Sequence, residues 1–197
     1  MGEIMTRISA IPLVLLIPLF GAGMPCIAAD ARDETALYVA RHGGSYELSV
    51  PVSRLVMTVP QANFSRSDKP GSGAAHSRRH FLFEDKKQGL IVSGWFEPAS
   101  SYSNFDKIWH DEKASWQSEN LPAPANETRF KSGGWDAVAY DLVLQDGAAN
   151  SPNIRAFWVE AGTWIDLHLS SASTATPEEQ RRRLVKLLES IRVSQRP

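Results

Sequence analysis

Cysteine is almost missing: Cys26 is the single one among 197 residues, so no disulfide within the chain can staple the fold in any compartment. Excess charge of one sign is missing too. With 21 Lys and Arg against 22 Asp and Glu, the net charge is −1, and nothing draws the chain to nucleic acid or to an anionic membrane surface. No apolar run reaches the roughly 20 residues that a bilayer crossing needs. No Gly-x-Ser-x-Gly elbow marks a hydrolase of that kind, and internal repeats and long low-complexity tracts are absent. What is present in quantity is tryptophan, with 6 in the chain.

The first residues read as an address. Arg7 supplies a positive start, Ile8 to Phe20 an apolar stretch interrupted by Pro12 and Pro18, and Ile27-Ala28-Ala29 a small-residue cleavage site before Asp30, the pattern of a secretory signal peptide of bacterial type. Residues 1–29 are therefore expected to be a secretion signal and residues 30–197 a single exported α+β domain, periplasmic or secreted, with no stable membrane insertion after cleavage. Gly23-Met24-Pro25 before Cys26 lacks the aliphatic and small residues of a lipobox, so Cys26 is expected to leave with the leader. The remaining chain is long enough to bury roughly 70% of its unfolded surface around one core.

Leu37-Tyr38-Val39 is too short to assign and reads as an arm. Tyr46 to Val50 alternates and Leu55 to Val59 is apolar and β-branched, which predicts two short strands or one bent at Pro51. Gln61 to Arg79 reads as a long loop. His80 to Glu84 and Leu90 to Glu97 flank Asp85 to Gly89 and predict a hairpin. Ser103 and Asp106 resemble a capping box, and Phe105, Ile108, Trp109, Glu112 and Trp116 follow at helical spacing, predicting a helix from Asn104 to about Gln117. Thr128 to Lys131, Trp135 to Leu144, Asn153 to Glu160 and Thr163 to Leu169 predict an antiparallel meander. Thr176-Pro177-Glu178-Glu179 starts a second helix, with Leu184, Leu187, Leu188 and Ile191 as its apolar stripe. The order implies an α+β fold with a mainly antiparallel sheet and two principal helices.

The closing strand Thr163 to Ser170, the helix Pro177 to Ile191 and the residues Leu188, Ser190, Ile191 and Val193 at its end resemble the C-terminal unit of PsbP-like domains. The resemblance covers about the last third of the chain by pattern and the rest by element order. It implies a PsbP-like sandwich and a binding or assembly role exercised through protein surfaces; it carries over no functional residue.

Alternation along Thr163 to Ser170 sends Ile165, Leu167 and Leu169 to one face, and Trp164, Asp166, His168 and Ser170 to the other. If neighbouring strands register accordingly, Trp95, Trp158 and Trp164 share that second face with Glu160, Asp166 and His168. Such a face would hold a small ligand or a protein partner, since tryptophan offers a large contact area and one N–H donor; a covering helix carrying Trp109 and Trp116 would instead make it core. Ser, His and Asp along one strand stand about 6 to 7 Å apart, too far for the direct hydrogen bonds of a triad. His76 and His80 lie beside Arg78 and Arg79, which would repel a cation, so neither metal nor other cofactor is expected. The expectation is a non-enzymatic binding or accessory protein. The alternative is a hydrolytic enzyme or enzyme subunit using Glu160, Asp166 and His168 as acid–base groups.

Overall fold

Period-two alternation of apolar and polar residues dominates this chain, and strands dominate its fold. A computed structural model describes residues 37–60, 63–67, 79–143 and 150–196. In chain order the elements are β1 (Tyr38–His42), β2 (Ser45–Ser49), β3 (Leu55–Pro60), β4 (Ser65–Arg66), β5 (His80–Asp85) and β6 (Leu90–Pro98). They continue with α1 (Phe105–Ser118), β7 (Ala125–Ser132), β8 (Trp135–Val143), β9 (Asn150–Glu160), β10 (Thr163–Ser171), α2 (Pro177–Ser190) and β11 (Arg192–Gln195). A seven-stranded antiparallel sheet runs β4-β5-β6-β10-β9-β8-β7, and a four-stranded one runs β1-β2-β3-β11. The fold is α+β, with two helices and antiparallel pairing.

The two sheets share one core. Leu48, Met57 and Val59 of the small sheet are buried with Phe83, Phe96, Ile165 and Leu167 of the large one, and α2 adds Leu184, Leu187 and Leu188. On the opposite face of the large sheet, α1 lays Phe105 and Trp109 over Val138, Tyr140 and Phe157 in a second buried cluster. The large sheet is thus a middle layer, covered over most of one face and part of the other.

Local chemistry explains both helix starts. Thr176 Oγ1 accepts from the Glu179 N–H at 3.3 Å, with Pro177 in the first turn, as the sequence predicts. At α1 the cap is one residue later than the Ser103 reading. The Asn104 side chain, on extended backbone, accepts from the Lys107 N–H at 2.8 Å, while Asp106 pairs with Arg129. The Tyr38 segment is no arm: it forms β1, paired to β2 from Tyr38↔Ser49 to His42↔Ser45. The bend at Pro51 separates two strands, β2 and β3.

That bend holds a strained residue. Val52 has φ +56 and is 71% exposed, a left-handed conformation that costs a β-branched residue about 1–2 kcal/mol with little packing in return. Asn tolerates this region, and Asn120 and Asn126 already occupy it here. Val52→Asn is expected to raise the thermal midpoint by about 2–4 °C. An unchanged midpoint in differential scanning fluorimetry would mean that the bend stores no strain.

Candidate functional site

The uncovered part of the large sheet's outer face is a grid whose rows follow from strand register. Asp166 lies between Trp95 and Phe157, His168 between Ser93 and Arg155, and Trp164 between Glu97 and Val159. Tyr140 pairs with Asn153 in the next strand. Trp95, Trp164, Asp166 and His168 therefore do share one face.

Trp158 and Glu160 do not. The two-residue turn Ala161-Gly162, with φ +47 and +76, opposes Glu160 to Thr163 and Trp158 to Ile165, as such a hairpin requires. Trp158 is consequently a core residue, 8% exposed, and its ring lies close above Gly134. Glu160 is exposed at the strand end. The three-tryptophan platform expected from alternation is not formed. Trp95 packs against His80, rings tilted, with centroids 4.7 Å apart, whereas Trp164 is wedged between Tyr102 at 5.5 Å and Phe157 at 5.7 Å. His76 and the leader lie outside the described residues.

The side chains that converge lie beside α1. The Arg155 guanidinium donates from Nη2 to Asp166 Oδ2 at 2.6 Å. Its Nε approaches Oδ1 to the same distance, but off the N–H axis, so that second contact is coulombic. Nη1 reaches Glu112 Oε1 at 3.3 Å. Glu112 comes from the sheet-facing stripe of α1, which places a carboxylate where an apolar residue would be usual. Burial raises the Asp166 carboxyl above its ordinary value, with Arg155 pulling the other way. For Arg155, burial favours deprotonation but Asp166 and Glu112 more than offset it, and the guanidinium stays charged.

Beside this ion pair sits an uncharged network. Asn153 Nδ2 donates to the Ser151 carbonyl at 2.6 Å, which turns its Oδ1 toward His168 Nε2 at 3.1 Å; that nitrogen then carries the ring proton. The Tyr140 hydroxyl approaches the same nitrogen at 3.2 Å. Burial first, and the Arg155 charge second, push the His168 pKa down to about 4, and burial pushes Tyr140 up. Both are neutral near pH 7.

Above this floor opens a cleft of about 410 Å³, walled by Trp116, Leu121, Pro122, Leu142 and Val143 and floored by Tyr140, Arg155 and His168. Its size falls in the range of small-molecule sites, as does its pairing of apolar walls with a few polar groups. The Asp166 carboxylate is turned to Arg155 and the His168 Nε2 to Tyr140 and Asn153, so no Asp–His hydrogen bond exists, and Glu160 is remote from both across the sheet. Among the described residues no three His, Cys, Asp or Glu side chains cluster as a metal site would require, and no helix is long and apolar enough to cross a membrane.

Glu112, Tyr140, Asn153 and Arg155 are site residues that the alternation of β10 alone does not reveal. Two signals for them do stand in the sequence: Glu112 on the apolar stripe of a helix, and Arg155 between Ile154 and Ala156 in an apolar strand.

No protein-family model and no curated protein matches the chain. A solved structure from Bacteroides thetaiotaomicron VPI-5482 is similar with a TM-score of 0.40 at 12% identity, covering 73% of this chain, which in turn spans 45% of that one.

Proposed function

We propose that this chain is an exported binding domain that holds an amphipathic small ligand in the cleft beside α1. The observation that carries the reading is the cleft itself: apolar walls over a floor of neutral His168 and Tyr140 and a charge-paired Arg155. Such a floor orients a bound molecule without offering the paired acid and base that hydrolysis needs. The divergence of Glu160, Asp166 and His168 weighs against the hydrolase alternative. Export rests on the leader, with its charged start and its Ile27-Ala28-Ala29 cleavage site. The resemblance of the C-terminal unit to PsbP-like domains points the same way, toward binding rather than catalysis.

Native mass spectrometry of the protein isolated from the periplasm tests both parts. Expected are a chain beginning at Asp30 and an excess mass that is lost on denaturation. Leu142→Trp, which fills the cleft, is expected to abolish that excess while leaving the thermal midpoint within a few degrees. An excess mass that survives in Leu142→Trp would place the ligand elsewhere, and a leader retained on the mature protein would end the export reading.

A further inference from the structure

The charges around the cleft do not cancel, and this specifies its occupant, provided that the cleft is the binding site proposed above. Arg155 is already engaged by two carboxylates, Asp166 at 2.6 Å and Glu112 at 3.3 Å, and His168 is neutral. Lys113, the next residue along α1, lies 3.1 Å from both oxygens of Glu127 and so is balanced by its own partner. One negative charge is left over.

Two acceptors are left unpaired at the cleft, beside the buried Arg155 Nε–H that finds no acceptor on its axis. Nε2 of His168 carries the ring proton, so Nδ1 is an acceptor, with no hydrogen-bond partner among the described residues. Glu112 uses Oε1 on Arg155, and its second oxygen is likewise unengaged. The aromatic wall adds to this. The Trp116 and Tyr140 rings lie 5.6 Å apart, and other rings of the same cluster already carry cations: Arg129 stands 4.1 Å from the Phe105 centroid and Lys113 5.6 Å from that of Trp109. Ring faces and a carboxylate together favour a cation.

We infer that the cleft binds an amphipathic organic cation, its ammonium head held by Glu112 and the half-buried ring of Trp116, its apolar tail along Leu121 and Leu142. The head completes the neutralisation that Arg155 leaves unfinished, and the tail covers the apolar walls.

The test uses three probes with one tail, each below its micelle threshold: octyltrimethylammonium, octyl glucoside and octanoate, titrated calorimetrically into the purified protein. The cation is expected to bind about 10-fold more tightly than octanoate, and Glu112→Gln to remove most of that preference while changing octyl glucoside affinity by less than about two-fold. Glu112→Gln sits on a partly exposed helix position, and circular dichroism verifies its fold. Equal binding of all three probes, lost together in Leu142→Trp, would keep the cleft and overturn the cation inference. Tightest binding of octanoate would overturn it as well. No heat from any probe would remove the cleft reading along with it.

Discussion

Gly94→Ala is expected to destabilise the fold by about 3 kcal/mol, toward the upper end of what overpacking by one methyl group costs. A Cβ built on Gly94 would stand 2.2 Å from the Asp166 carbonyl oxygen and 2.7 Å from Phe81 Cζ. The ring could turn, but the carbonyl belongs to β10 at the centre of the large sheet and cannot retreat without opening the β6–β10 ladder. Glycine within a strand marks such a close approach of a second backbone, and Phe81, the register partner of Gly94, covers the missing side chain. With an m-value of about 2 kcal/mol/M, the urea midpoint should fall by about 1.5 M. Gly162→Ala is the control: at φ +76 with nothing within 4 Å of its added methyl, it carries only the left-handed penalty of about 1 kcal/mol. Equal losses in the two variants would show that the contact at Gly94 is relaxed by small shifts. Because the obstructed carbonyl is that of Asp166, the surviving Gly94→Ala protein should also hold Arg155 less firmly, and cleft binding should weaken with stability.

Local chemistry made most elements legible in the sequence. Thr176-Pro177 fixes the start of α2, the loop from Asp85 to Gly89 closes the β5–β6 hairpin, and the apolar stripes of both helices are the ones buried. β1 escaped because it is an edge strand whose residues are half-buried or exposed, leaving no alternation to read. The site was legible on one strand only. Alternation assigns residues to two faces within a strand, but which faces coincide across strands depends on register, and Trp158 was misplaced for that reason. The two-residue turn Ala161-Gly162 held the information, since it pairs Glu160 with Thr163 and so aligns Trp158 with Ile165. Glu112 was visible as a carboxylate on an apolar stripe, yet its partner Arg155 lies 43 residues away. No local pattern encodes a pairing that the stacking of α1 on the sheet creates.

Through His168 alone, the fold is expected to lose about 3 kcal/mol of stability as pH falls from 6.5 to 4, because that ring is held neutral in the fold. Its pKa is pushed down to about 4 from an ordinary 6.5, so between those values the unfolded chain binds a proton that the folded one refuses, and stability rises with pH across the window. Burial of the ring is the first cause of the refusal, and Arg155, its cross-strand neighbour, adds a positive charge; Tyr140 and Asn153 share Nε2. His80, also lowered by burial, acts in the same direction from a more exposed position. Asp166 acts in the opposite one. Its carboxyl is raised by burial, so the fold takes up a proton there before the unfolded chain does, and acid favours the folded state at that residue. The difference between wild type and His168→Gln isolates the imidazole, because Gln can still donate to Asn153 Oδ1 but cannot titrate. Urea midpoints measured from pH 4 to pH 7 should therefore slope steeply for wild type and much less for His168→Gln, with the two curves diverging below pH 6.5. Parallel curves would show that His168 protonates in the fold as readily as in the unfolded chain, and the cleft floor would then carry a positive charge in acid. In that case the preference for an ammonium head should also vanish by pH 5, which ties the stability measurement to the chemistry of the cleft.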